Sequence, residues 1–395
     1  MALVAGCLLL GSCRSHGQPA KGASTAASTA PTTSGPPPAP SSTAAPAGPP
    51  LGASTPGGAP GSLPAGFDAA SVTFVSLTTG WVLGSATCGA ARCAQVWRTG
   101  DGGRTWSGVP APPAPAALET GGETPSRIRF ANADDGWISA GGKLWATHDG
   151  GAHWNQQSIE FVYALEASAG AVHAVVSQSG GDGFHFVMAT SPVHGDAWRV
   201  SATKLDAGAG PVPRLQLVLH GPAGWVVVVN RTVVGGARLQ KGQWVGWKPP
   251  CYGAGTPAEL AASTAVDLVA FCTDGTWNDQ PPGERVLVST DSGSSFRQVP
   301  STLPVRSVYP VAAAAPGVWV IGSAETVVAG HPQAVLLRTT DGGRTWKTVH
   351  QAEQETWVEL GFTSARQGVV IGEGNINKLL MTFDGGQTWN PVAIP

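Results

Sequence analysis

Along residues 70–395 the apolar positions fall in short runs that come in a repeating order. A small residue leading into an apolar stretch recurs at Gly80-Trp81-Val82, Gly136-Trp137-Ile138, Gly224-Trp225-Val226, Val318-Trp319-Val320 and Gly368-Val369-Val370. A second kind of run follows at Val96-Trp97, Leu144-Trp145, Val286-Leu287-Val288, Leu336-Leu337 and Leu379-Leu380-Met381. Runs this short, closed off by glycine and proline, predict strands. No longer window carries the 3.6-residue apolar stripe of an amphipathic helix, so almost no helix is expected.

Each run of the second kind leads into one eight-residue pattern. Intact copies are Thr99-Gly-Asp-Gly-Gly-Arg-Thr-Trp106, Thr147-His-Asp-Gly-Gly-Ala-His-Trp154, Ser289-Thr-Asp-Ser-Gly-Ser-Ser-Phe296, Thr339-Thr-Asp-Gly-Gly-Arg-Thr-Trp346 and Thr382-Phe-Asp-Gly-Gly-Gln-Thr-Trp389. Worn copies fill the gaps. Ser191-Pro-Val-His-Gly-Asp-Ala-Trp198 has Val193 in place of the aspartate, and Arg238-Leu-Gln-Lys-Gly-Gln-Trp244 keeps little beyond Gly242 and Trp244. The closing aromatics fall at 106, 154, 198, 244, 296, 346 and 389, a spacing of 43 to 52 residues. That period holds four short strands and their turns, and seven of them predict an all-β, seven-bladed β-propeller over residues 66–395.

The pattern reads as a turn between the third and fourth strands of a blade. Its aspartate (Asp101, Asp149, Asp291, Asp341 or Asp384) accepts hydrogen bonds within the turn, and Gly-Gly supplies positive φ. The aromatic residue opens the next strand and packs between blades. Aspartates spread round a ring do not converge on one ion or substrate, so they are expected to be structural. Trp346 and Trp389 are expected in the core, and Trp247, outside the repeat, at the periphery.

The chain thus resembles the Asp-box, or bacterial neuraminidase repeat, propellers. Its Gly-Trp…Thr-x-Asp-Gly-Gly-x-Thr-Trp phrasing is most similar to the photosystem II stability/assembly factor-like family of bacterial exported proteins. The resemblance covers roughly residues 70–395 and implies seven blades. It also spans sialidases, xyloglucanases and sortilin-type receptors, so it specifies fold far better than function.

Residues 1–13, Met-Ala-Leu-Val-Ala-Gly-Cys-Leu-Leu-Leu-Gly-Ser-Cys, resemble a bacterial lipoprotein signal without a basic n-region. Both Val4–Cys7 and Leu10–Cys13 fit a lipobox. Cys13 is the preferred lipidation site, because polar Arg14-Ser15-His16 follows it. Residues 14–65 are mostly Ala, Pro, Ser, Thr and Gly, a composition that reads as a disordered linker. As a coil it spans roughly 40 Å. The expected location is the outer side of a bacterial cytoplasmic membrane, held by the lipid anchor alone, or secretion. Four further cysteines, Cys88, Cys93, Cys251 and Cys272, suggest two disulfides in an oxidising compartment. Cys88 and Cys93 flank a hairpin loop of blade 1. Cys251 and Cys272 fall in the loop leaving blade 4 and in blade 5. Their spacings match no zinc pattern, and neither metal nor cofactor is expected.

A net charge of −2 with only 12% charged residues argues against nucleic acid as a partner. About half of the 15 tryptophans sit in repeat positions, which marks them as core rather than as a sugar platform.

No hydrolase, phosphate-loop or calcium-loop motif occurs. Sialidases of similar repeat use three arginines, a Tyr–Glu pair, an acidic acid/base and an Arg-Ile-Pro motif. The nearest match here, Ser126-Arg127-Ile128-Arg129-Phe130, lacks the proline. Tyr163, Tyr252 and Tyr309 have no evident glutamate partner in the same strand.

One constellation remains. The strands that open blades 2, 4 and 6 carry Arg127 (with Arg129), Arg214 and Arg306, and those of blades 3, 5 and 7 carry Glu160, Glu259 and Glu359. Charges alternating round a channel mouth either neutralise one another or leave arginines to bind an anionic group, such as a peptide C-terminus or an acidic sugar. The expectation is a monomeric, non-catalytic binding or assembly scaffold for a protein or glycan. A carbohydrate-active enzyme, which needs two convergent carboxylates, is the alternative.

Overall fold

The structure is a computed structural model that describes residues 63–113, 126–178, 182–253, 255–274, 283–305, 307–328, 331–353, 356–374 and 378–392. Cys7, Cys13, the linker up to residue 62 and Arg306 lie outside the described residues.

The described residues contain no helix and form seven four-stranded antiparallel sheets. Every sheet takes four strands consecutive in the sequence and in sequence order. The blades span residues 68–109, 127–160, 162–208, 214–247, 255–299, 311–353 and 356–391. The chain is a seven-bladed β-propeller, and the first strand of each blade stands at the central channel.

Among the described residues no strand is exchanged to close the ring. Blade 1 meets blade 7 by packing: Leu63, Phe67, Val72 and Val82 share one buried cluster with Ile371, Met381 and Val392. Gln367 Nε2 donates to the Leu77 carbonyl at 3.1 Å across the same seam.

The eight-residue turns lie between third and outer strands and bond within themselves. In the first, Thr105 N donates to Asp101 Oδ1 at 2.9 Å and Thr105 Oγ1 to Asp101 Oδ2 at 2.6 Å. Thr99 Oγ1 donates to Asp101 Oδ1 and accepts from Gly103 N. The same bonds recur at Asp341 and Asp384, and at Asp291 with serines. At Asp149 the partner is His153, through N and Nδ1. Bonds donated by Ser295 and Thr345 hold Asp291 and Asp341 down at about 2. Gly103 shows why the second glycine is needed. Its φ is +87°, and a Cβ there would lie 2.6 Å from Met381 Sδ of blade 7, so the turn docks on the preceding blade.

Blades 3 and 4 depart from the repeat. In blade 3, Val193 stands in the aspartate's place and is buried between blades 2 and 3. In blade 4 the turn is a two-residue hairpin through Lys241 and Gly242, with φ of 50° and 76°. The tight hairpin shifts the outer strand so that both of its tryptophans are used. Trp244 faces blade 3 and donates to His173 Nδ1 at 3.2 Å, and burial pushes His173 down to about 4. Trp247, expected at the periphery, instead packs by Phe296 and donates to the Gly293 carbonyl of blade 5 at 2.9 Å.

Two disulfides are present, Cys88–Cys93 across the hairpin of blade 1 and Cys251–Cys272 from the loop leaving blade 4 to the second strand of blade 5.

Candidate functional site: the mouth of the central channel

The inner strands of blades 2 to 7 line a cavity of about 890 Å³ along the channel. Antiparallel order puts the starts of these strands at the face opposite the eight-residue turns. Arg127 and Arg214 open their strands at that end, and Arg129, Glu166, Glu259 and Glu359 stand further along theirs.

Arg129, on the inner strand Arg127–Phe130 of blade 2, is the centre of one group. Its Nε donates to Glu166 Oε1 of blade 3 at 2.7 Å and its Nη1 to Glu359 Oε1 of blade 7 at 2.9 Å. Nη1 also reaches Ser71 Oγ of blade 1 at 3.0 Å. One guanidinium therefore ties four blades. Its side chain is only 14% exposed. Burial opposes its charge, and Glu166 and Glu359 more than reverse that, so its pKa is raised. Burial pushes Glu166 up; Arg129 offsets this in part, and the nearby Glu359 adds to it.

Arg214, on the inner strand Arg214–His220 of blade 4, centres the other group. It pairs with Glu259 of blade 5, whose side chain is 1% exposed. Its guanidinium carbon lies 4.5 Å from the centroid of the Tyr309 ring, ahead of blade 6. Gln216 holds the glutamate's strand, donating to Glu259 Oε2 at 3.1 Å and accepting from Leu260 N at 2.8 Å. The Tyr309 hydroxyl donates to the Val358 carbonyl of blade 7.

Arg127 differs from both. It lines the same cavity and donates to the Ser126 carbonyl at 3.1 Å, and among the described residues no carboxylate pairs with it. Enclosure by the channel wall pushes the Arg214 pKa down. Tyr309 works against this, and the like charge of Arg127 adds to it. Two guanidiniums thus sense each other through the cavity, one in an ion pair and the other without one, though its charge also reaches Glu166. Glu359 Oε2, in the same lining, is buried without a donor among the described residues.

The structure brings Arg127 and Arg214 into one cavity, with Glu259 and Glu359 beside them; Arg306 is outside the described residues. Glu160 is a correction. It ends the outer strand Asn155–Glu160 of blade 2 and pairs with Lys143 of its own sheet. The channel carboxylate of blade 3 is Glu166. A single residue, Phe161, joins the two blades at φ 52°, and no glycine or proline marks the break. With this replacement the sign alternates over blades 2 to 5.

Outside the channel, His148, His194, Asp135 and Asp196 form a cluster that the repeat pattern did not indicate. Two of its members occupy the place of the missing aspartate turn, which was the available signal. Among the described residues no group of three His, Cys, Asp or Glu is placed to hold a metal ion. No helix among them is long and apolar enough to cross a membrane.

Neither a protein-family model nor a curated protein sequence matches the chain. Solved structures do. One described as YCF48 bound to D1 peptide is 18% identical with a TM-score of 0.53, covering 81% of this chain and 95% of that one. YCF48 from Cyanidioschyzon merolae is 15% identical with a TM-score of 0.54, covering 82% and 97%. A polysaccharide lyase of family PL25, an ulvan lyase, is 10% identical with a TM-score of 0.53, covering 86% and 98%. At these identities the likeness extends to the propeller fold alone.

Proposed function

We propose that this chain is a non-catalytic binding scaffold of the Asp-box type, whose channel mouth holds an anionic group of a protein partner. The observation that carries the reading is Arg127, an arginine without a carboxylate partner among the described residues, facing a cavity that it shares with Arg214. A guanidinium that faces a confined site without an ion pair is free to take a carboxylate, which it binds through two parallel hydrogen bonds. One similar propeller, YCF48, was solved bound to D1 peptide, which favours a protein over a glycan. Lipidation of Cys13 at the outer side of a bacterial membrane, with residues 14–62 as tether, belongs to the same proposal and would set the mouth among envelope proteins.

The enzymatic alternative has less support. A glycosidase pair must face its substrate across a gap. Glu166 and Glu359 instead share the Arg129 guanidinium, and Glu259 is occupied by Arg214 and Gln216.

The test is capture from the native membrane with wild type and Arg127→Ala, alongside turnover of a polysaccharide panel. A protein retained by wild type and lost by Arg127→Ala, with no polysaccharide cleaved, is the expected result. Cleavage of any polysaccharide moves the chain to the enzyme class.

A further inference from the structure

The turn of blade 3, residues 191–198, has lost the carboxylate that closes the other eight-residue turns. Val193 points into the core instead. Two histidines hold the turn from outside. The Nδ1 of His194, within it, lies 2.8 Å from Asp135 Oδ2 of blade 2. His148, in the turn of blade 2, donates from Nδ1 to Asp135 Oδ1 at 2.6 Å, and its Nε2 lies 3.4 Å from Asp196 Oδ1 of the blade 3 turn. Asn132 Nδ2 donates to Asp135 Oδ2 at 2.7 Å. The Asp135 side chain is 4% exposed, so this carboxylate is buried and anchored on three sides.

His148 is the member that a proton switches. A neutral imidazole has one N–H, and only the imidazolium donates from both nitrogens. With both ring nitrogens facing carboxylates, the arrangement is complete in the charged form alone. We propose that His148 is a proton-operated latch that clamps the blade 3 turn to blade 2 when charged and frees Asp196 when neutral.

Other charged groups at the seam do not supply the switch. Asp149 and His153 bond to each other within the blade 2 turn. Asp134 donates its N–H to Asn132 and accepts from Gly150. Arg98 of blade 1 runs beside Gly150. Burial pulls the His148 pKa down, but the bonds to Asp135 and the charge of Asp196 outweigh it, and the pKa is raised. The latch therefore acts in full below the free histidine value of about 6.5 and is lost as pH rises through the higher folded value. His173, pushed down to about 4, has the opposite pH trend and is common to all variants compared, so it cancels in differences.

The experiment is the melting temperature of the full-length protein from about pH 5.5 to about pH 8.5, for wild type, His148→Gln, Asp196→Asn and His153→Gln. The deficits of His148→Gln and Asp196→Asn relative to wild type should both be largest at the acid end and shrink by at least about half at the alkaline end. His153→Gln should show a small deficit without this trend. Amide exchange in residues 193–197, compared between wild type and Asp196→Asn at each pH, should differ at the acid end and converge at the alkaline end. A deficit that stays constant with pH, or an exchange difference that persists at the alkaline end, overturns the latch. If His148→Gln does not fold, the same outcomes are read from Asp196→Asn, which alters a partly exposed side chain.

Discussion

The turn at residues 339–346 and the mouth of the channel both hold charged groups, but they satisfy them over different distances. In the turn, Asp341 takes its donors from Thr339, Arg344 and Thr345, all within five residues of chain. In the channel, Arg129 takes its partners from blades 1, 3 and 7. The turn is a local object that closes itself. The channel ring exists only once the propeller is assembled, and its ion pairs are shared unevenly among three arginines and three glutamates. Arg129 is overmatched by two carboxylates, Arg214 is matched by one, and Arg127 by none among the described residues. Three arginines and three glutamates line the cavity, and Arg127 is the one of the six without an ion pair among the described residues.

The largest effect expected from breaking this contrast is at Arg129. Arg129→Met leaves Glu166 and Glu359 close together without their shared cation, and should cost about 3–5 kcal/mol in urea unfolding. A loss below about 1 kcal/mol would show that the tie across four blades is not what holds the ring there.

Next come the tryptophans of the rim. Trp389→Ala removes a ring that is 7% exposed and should cost about 3–5 kcal/mol. Trp247→Ala should cost about 2–3 kcal/mol, because its ring packs by Phe296 and its N–H donates to Gly293. A negligible effect at Trp247 would restore the peripheral role expected from the repeat.

A smaller, pH-dependent effect belongs to the turn aspartates. The folded pKa values of Asp291 and Asp341 are lowered to about 2. Their stabilisation is therefore fully present above the free carboxylate value of about 4 and fades as pH falls through about 2. Asp341→Asn should lower the melting temperature at neutral pH, and the deficit should shrink between about pH 4 and about pH 2. A deficit independent of pH over that window would mean that the carboxylate charge does not contribute.

This contrast also sets what could be read from the chain. The turns and the blade count were legible because their hydrogen bonds close within eight residues, so the sequence itself repeats. Arg127, Arg214, Glu259 and Glu359 were placed at the channel because each stands on a well-marked inner strand. The sequence does not separate Glu160 from Glu166, because one residue, Phe161, joins blades 2 and 3, and period-two alternation does not mark where one strand ends and the next begins. The packing of Trp247 is hidden in the sequence because a two-residue hairpin replaces the long turn of blade 4. The pairing state of Arg127 and the histidine cluster depend on contacts between blades, which no local pattern carries.

The most direct measurement of the central claim pairs binding with stability on one variant. Arg127→Ala is melted, and its affinity for the partner captured by wild type is measured by calorimetry on the same preparation. A guanidinium held in reserve for an anion predicts an affinity at least about tenfold weaker with a melting temperature within about 1 °C of wild type. Unchanged affinity, or a melting loss as large as that of Arg129→Met, would contradict it.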